Sequence, residues 1–283
     1  MVIVAAAAWL VAASSFAQEV DPARARDAAV RAIGAIQKAQ VLWYTANKQV
    51  CASCHHQYQP ALAYRAGRDH GVPLDEQIAR ADALKAFTFA DIDRAVQYTH
   101  VIEPAMDDAY RMVAASAAGV KPNLGAAVYA RLLISRQNAE GDWDGFHQRP
   151  PSSYSRMTMA ALGLRAVQVY HHASQKAQAD AAVARARRFL DTRTPRDTEE
   201  RTYQLLGLSW AGADRATLQK LARELRAAQR ADGGWSSVKL GDVDVARNKD
   251  GLTPLELARK HGHANLIPAL ASSGAGPSPA ALR

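Results

Sequence analysis

The heptapeptide Gln137-Asn138-Ala139-Glu140-Gly141-Asp142-Trp143 returns further along the chain as Gln229-Arg230-Ala231-Asp232-Gly233-Gly234-Trp235, with Gln, an acidic residue, Gly and Trp at the same offsets. Each copy closes a stretch whose apolar residues fall at helical spacing. The interval between the copies is twice a helix-pair period of about 45 residues. The intervening unit, residues 181–190 and 202–210, keeps its two helical stretches but has lost its own Gln/Gly/Trp turn. This spacing predicts stacked helical hairpins, and alternating strand patterns are absent, so the expected fold class is all-α.

The stretches on either side of these turns alternate in character, as a two-layered array requires. Met157, Ala160, Ala161, Leu164 and Val167 share one side of a helix that also carries Leu162 and Val169, so it is apolar nearly all round and belongs to an inner layer. Leu218, Leu221, Ala222 and Leu225 instead form a single stripe opposed by Arg223, Glu224 and Arg226, the pattern of an outer helix. Asp197 with Glu200 reads as a capping box for the inner helix expected over residues 199–212, and Asp214 as the cap of the outer one after it.

The Gln-x-x-acidic-Gly-x-Trp turn resembles the repeat of squalene-hopene cyclases, oxidosqualene cyclases and related prenyltransferase toroids, over residues 121–236. The resemblance implies a partial α/α toroid, with about three hairpins where a complete ring has about twice as many. It also implies that Gln137, Trp143, Gln229 and Trp235 are structural ties, the Gln amide capping a neighbouring helix end and the indole packing at the turn. Cyclase activity is not implied, because those enzymes protonate an alkene with an Asp-x-Asp-Asp cluster. The nearest approaches here, Asp91 with Asp93, Asp107 with Asp108, and Asp242 with Asp244, lie outside that setting and read as caps or surface charges. No catalytic residue is assigned; a polar group of Asp142, Asp144 and His147 at the mouth of the arc is the remaining catalytic candidate.

Working back toward the N-terminus, Asp21-Pro22 is an N-cap followed by Pro at the first helical position, opening a helix to about Asn47 with Val30, Ile33 and Ile36 at helical spacing. It leads into Cys51-Ala52-Ser53-Cys54-His55, which holds both cysteines of the chain. C-x-x-C-H is the signature of covalent c-type haem attachment. On a helical turn Cys51, Cys54 and His55 share one face, so two thiols can bond the porphyrin edge while the imidazole of His55 ligates iron. A local disulfide, or part of a zinc site with His55 and His56, is the competing reading of the same residues. For the sixth iron position the candidates are Met106 or Met112, with His70 and His100 as imidazole alternatives; His56, next to the proximal ligand, points away from the same iron. Past Pro60 a short helix should carry Leu62 and Tyr64 and end near Gly71-Val72-Pro73, with two or three more over residues 74–118.

Residues 1–17 read as a signal peptide, apolar to Phe16 and ending Ser15-Phe16-Ala17, although no Lys or Arg precedes the apolar stretch. Export agrees with haem c, which is attached outside the bacterial cytoplasm, so the expected location is periplasmic or secreted, with no membrane-spanning segment after cleavage. A formal charge of +8, carried mostly by dispersed Arg, lacks the concentrated stripe with interleaved aromatics that nucleic-acid binding requires. After Trp235 the toroid pattern stops. Residues 248–258, Asn-Lys-Asp-Gly-Leu-Thr-Pro-Leu-Glu-Leu-Ala, followed by Gly262-His263 and Ile267 to Leu270, resemble one ankyrin unit, a helix pair that packs on the toroid helices as a cap or remnant. The organisation read from the chain is thus a signal peptide (1–17), a helical haem-motif region (18–120), toroid repeats (121–238), a single ankyrin-like unit (239–271) and a disordered tail (272–283).

The joint presence of a haem-type motif, this toroid repeat and an ankyrin unit is similar to a group of secreted proteins of environmental bacteria. Two functions follow as expectations. One is an exported haem c protein that passes electrons to a redox partner or senses a small ligand, with the repeats as scaffold and protein-contact surface. The other is a non-haem helical repeat module that binds a peptide, glycan or lipid-like molecule, its cysteines joined as a disulfide.

Overall fold

In a computed structural model of the chain, the structure describes residues 21–46, 54–87, 89, 105–144, 155–230, 235 and 259–260. These are helical apart from short connections, so the fold is all-α. Helix α1 (Pro22–Ala46) opens on Asp21, whose Oδ1 accepts the Ala23 N–H at 3.0 Å. Its buried stripe is Ile33, Gln37 and Gln40 rather than Val30, Ile33 and Ile36: Val30 is exposed and Ile36 only partly covered. A π-helical turn, Cys54–Tyr58, runs into α2 (Gln59–Asp69), and α3 (Glu76–Ala86) follows, capped by the Asp75 carboxylate on the Gln77 and Ile78 N–H groups. A second π turn, Ala105–Ala109, runs into α4 (Tyr110–Ala117).

From there the chain alternates between two rows. Helices α4, α6 (Arg156–Tyr170) and α8 (Thr198–Trp210) form the inner row, and α5 (Leu124–Arg136), α7 (Lys176–Thr192) and α9 (Arg215–Ala227) the outer one. Helix α6 packs on both inner neighbours and on the outer helices α5 and α7, and α8 packs on α6, α7 and α9; α4 packs on α6, on α2 and on the two π turns. Helix α6 is buried nearly all round, with Leu162, Leu164 and Val167 fully enclosed; each such side chain contributes roughly 1.5–3 kcal/mol. Helix α9, by contrast, buries only Leu221, as an outer helix at the end of the described array should.

The caps read from sequence are formed. Asp214 accepts the Thr217 N–H at 2.9 Å, and Asp197 accepts the Glu200 N–H at 2.9 Å. The reciprocal bond of the expected box moves one residue outward: Glu200 accepts the Arg196 N–H at 2.7 Å.

One apolar core extends from Tyr58 and Phe87 through Tyr110 to Leu208 and Leu221, crossing position 120 without interruption. A smaller cluster of Ile33, Tyr64, Val72 and Ala79 lies under α1. Among the described residues no helix is long and apolar enough to cross a membrane. The signal-peptide reading and the ankyrin-like unit fall outside the described residues, except that Arg259 and Lys260 are helical and exposed.

Candidate functional site

The haem-type motif lies where three helical segments meet. Cys51 is outside the described residues; Cys54 and His55 open the π turn that continues as α2. A π turn widens the helix by one residue and disturbs the regular ladder, a distortion frequent at functional sites. Helix α1 holds this turn from one side. Gln40, fully buried, donates through Nε2 to the His56 carbonyl at 2.8 Å and accepts from the Tyr64 hydroxyl through Oε1. Gln57 Nε2 donates to the Tyr44 hydroxyl at 2.7 Å, and the Trp43 indole stacks on the His56 imidazole, centroids 5.2 Å apart and planes 11° from parallel. Three residues up α1's buried stripe, Gln37 exchanges two bonds with the Asp75 backbone, at 2.8 and 3.0 Å, and so ties α1 to the start of α3.

The other side of the turn meets the inner row: the Tyr58 ring packs against Tyr110 at 5.5 Å and Phe87 at 6.0 Å. Tyr110 stands one helical turn after Met106, which belongs to the second π turn. Met112 is enclosed in the apolar core with no exposed surface. His70 is exposed at the end of α2, and His100 lies outside the described residues.

Gln40, which holds the motif turn, and Gln37, which ties α1 to α3, are not among the residues singled out from sequence. Their signal is nonetheless there, because Gln37 and Gln40 occupy stripe positions after Ile33 where an apolar residue is the rule, and a buried amide needs partners. Replacing Gln40 with alanine removes its bonds to the His56 carbonyl and the Tyr64 hydroxyl and should destabilise the protein by about 1–3 kcal/mol, read as a lower urea midpoint. An unchanged midpoint would show that water takes over both bonds.

The repeat turns are built as hooks. Trp143, 1% exposed, donates from Nε1 to the Leu133 carbonyl at 2.8 Å, and its ring lies so close to α6 that a Cβ at Gly163 would come within 2.7 Å of it. Trp235 donates to the Leu225 carbonyl at 2.7 Å, the same ten-residue offset, but its ring is 41% exposed. Gln137 donates to the carbonyls of Gly141 and Ala182, both at 2.9 Å, and accepts from Arg185 Nε and Nη2 at 3.0 and 2.6 Å. Ala182 lies in the body of α7, so this amide clamps the flank of the neighbouring helix rather than capping its end. Gly141 takes φ of 106° and lets the turn approach the Arg185 carbonyl, where a Cβ would come within 2.3 Å.

Asp142 and Asp144, expected as a polar group at the mouth of an arc, serve this turn. Asp142, fully buried, pairs with Arg156, and Asn138 Nδ2 donates to Asp142 and Asp144 at 3.2 and 3.0 Å. His147 lies outside the described residues, as do Asp91, Asp93, Asp242 and Asp244. Of the Asp107–Asp108 pair, Asp107 is exposed, whereas Asp108 is buried in the second π turn. Burial drives the Asp108 carboxyl up to about 7, against the pull of the Arg111 charge and with a push from Asp107.

Comparison of the chain with protein-family models, with curated proteins and with solved structures returns no match.

Proposed function

We propose that the chain is an exported c-type haem protein that passes electrons to a redox partner or responds to a small ligand, with the toroid-like rows as its scaffold. The observation that carries this reading is the C-x-x-C-H motif running into a helical turn that α1 anchors through Gln40 and the inner row braces through Tyr58. The donor set fits the group: Cys51 and Cys54 supply two thiols for thioether bonds, and His55 supplies an imidazole adjacent to the second of them on a helical backbone. When bound, haem supplies one-electron redox chemistry and an iron that can accept an axial ligand.

The chain's own residues hold and orient. The Gln40 bond to the His56 carbonyl and the Tyr58 contact with Tyr110 fix the turn that carries His55, while stacking on Trp43 occupies the His56 ring and leaves a single imidazole for the proximal role. For the sixth position Met106 is preferred to Met112, because Met112 is sealed in the core whereas Met106 belongs to the π turn one helical turn before Tyr110. The signal-peptide pattern of residues 1–17 supports a periplasmic or secreted location. The proposed relationship to the toroid repeat family, and of residues 239–271 to ankyrin, assigns these parts to scaffold and protein contact.

Expression of the full chain in a bacterial periplasm with the haem-attachment machinery tests the reading. The purified protein is expected to keep a haem-stained band through denaturation and to gain the mass of one haem, and Cys54→Ala is expected to abolish double attachment. An unmodified mass, short only of the hydrogens lost to a disulfide, rejects haem and favours the non-haem binding module.

A further inference from the structure

Arg165 stands apart from the other arginines that the fold draws out of water. Arg185 meets the Gln137 carbonyl oxygen, and Arg201 meets Glu224 at 2.7 Å. Arg165 lies partly buried on the inner helix α6 and makes neither an ion pair nor a hydrogen bond among the described residues. Its one specific contact is the Trp210 indole, 5.9 Å from the guanidinium carbon to the ring centroid. The charged group that it feels is another cation, Arg65 on α2, which is itself paired with Asp69 at 2.8 Å. Burial and that like charge both act to lower the Arg165 pKa, which is the direction expected for a cation short of a counter-charge.

The helix end beside it does not satisfy the guanidinium. Trp210 closes α8, and a helix C-terminus carries partial negative charge. Its carbonyls are taken, however: Gln168, one turn along α6 from Arg165, donates to the Trp210 carbonyl at 3.1 Å, and Arg187 donates to the Ala211 carbonyl at 3.2 Å. Five N–H donors in a planar fork therefore stand partly desolvated beside an indole, with Leu206 one turn back on the same face of α8, also partly exposed.

We infer that α6 and the end of α8 hold an oxyanion-binding site in which Arg165 receives a carboxylate or phosphate group while Trp210 and Leu206 receive the adjoining non-polar part of the ligand. The guanidinium fork matches both oxyanions bidentately, and the indole holds the fork in plane by cation–π contact. The net positive charge of the chain, +8, favours the approach of anions in general. Leaving a half-buried cation unpaired is costly, and a bound oxyanion removes that cost. This inference does not depend on haem.

Calorimetric titration of the full chain with sodium phosphate and, separately, with sodium octanoate tests it. Saturable binding of at least one is expected, weakened at least tenfold by Arg165→Gln and unchanged by Arg188→Gln, which removes the same charge from the exposed flank of α7. Preference for octanoate identifies an amphiphilic carboxylate as the ligand class, and preference for phosphate a phosphoryl compound. No saturable binding of either at millimolar concentration, or equal weakening by both variants, overturns the site. Thermal melting provides a second test: Arg165→Met should melt no lower than wild type without ligand, and the bound anion should raise the melting temperature of wild type only. A large loss of stability in Arg165→Met would make Arg165 a structural residue and refute the inference.

Discussion

Trp143→Ala should cost about 3–5 kcal/mol of stability, the largest effect expected of any single truncation in the repeat region. The ring is 1% exposed, fills the space between the turn and α6, and rests where Gly163 has no side chain to meet it. The loss combines the transfer free energy of a buried indole with the cavity it leaves. The Leu133 carbonyl also loses its partner. Trp235→Ala removes the same kind of bond from a ring that is 41% exposed and should cost about 1 kcal/mol. Denaturant midpoints of the two variants at one pH provide the comparison. Equal losses would contradict the difference in burial, and a Trp143→Phe variant separates ring packing from the hydrogen bond.

The second large effect is one of pH. Asp108 has a folded-state pKa of about 7 against 3.8 for the free side chain. The folded protein therefore binds the proton more tightly than the unfolded chain does. The stability attached to the protonated acid is fully present below about 4 and is lost as pH rises through 7, in total by as much as about 4 kcal/mol. Asp108→Asn, which cannot ionise, should be close to wild type in urea melts at pH 4 and clearly more stable than wild type at pH 8. Parallel pH profiles for the two proteins would mean that the Asp108 carboxylate is solvated in the folded state.

The parts of this architecture that rest on local rules were legible in the sequence. The spacing of Gln137, Gly141 and Trp143 marks a turn, Asp197 and Asp214 mark helix starts, and the apolar run from Met157 to Val167 marks a helix enclosed on all sides. What escaped the reading depends on contacts between residues distant in the chain. Gln37 and Gln40 look like interruptions of a stripe until Asp75 and Tyr64 are brought against them. The two π turns leave no trace in apolar periodicity, since one extra residue in a turn changes the helix locally and not its overall period. Arg165 is one of many arginines in the sequence, and only packing shows that it is drawn partly out of water without an acid beside it, unlike Arg201 with Glu224. The boundary drawn at position 120 likewise reflects a change of motif; Tyr58, Tyr110 and Tyr203 belong to one core on both sides of it, with the hydroxyls of Tyr110 and Tyr203 3.2 Å apart.

The indole hooks also bear on the order in which the array assembles. Trp235 reaches the Leu225 carbonyl with its ring 41% exposed, whereas Trp143 reaches the Leu133 carbonyl fully buried, so the bond forms at either degree of burial. Donor and acceptor are ten residues apart in both copies, and a loop of that length closes in about 10–100 ns. The Tyr110–Tyr203 contact, by contrast, spans 93 residues and must wait for three helices to come together. The outer helices α5 and α9, each with its hook, are thus low-contact-order units able to form before the inner row condenses, so the folding rate of the array should be governed by the docking of α6 between α4 and α8 rather than by the turns.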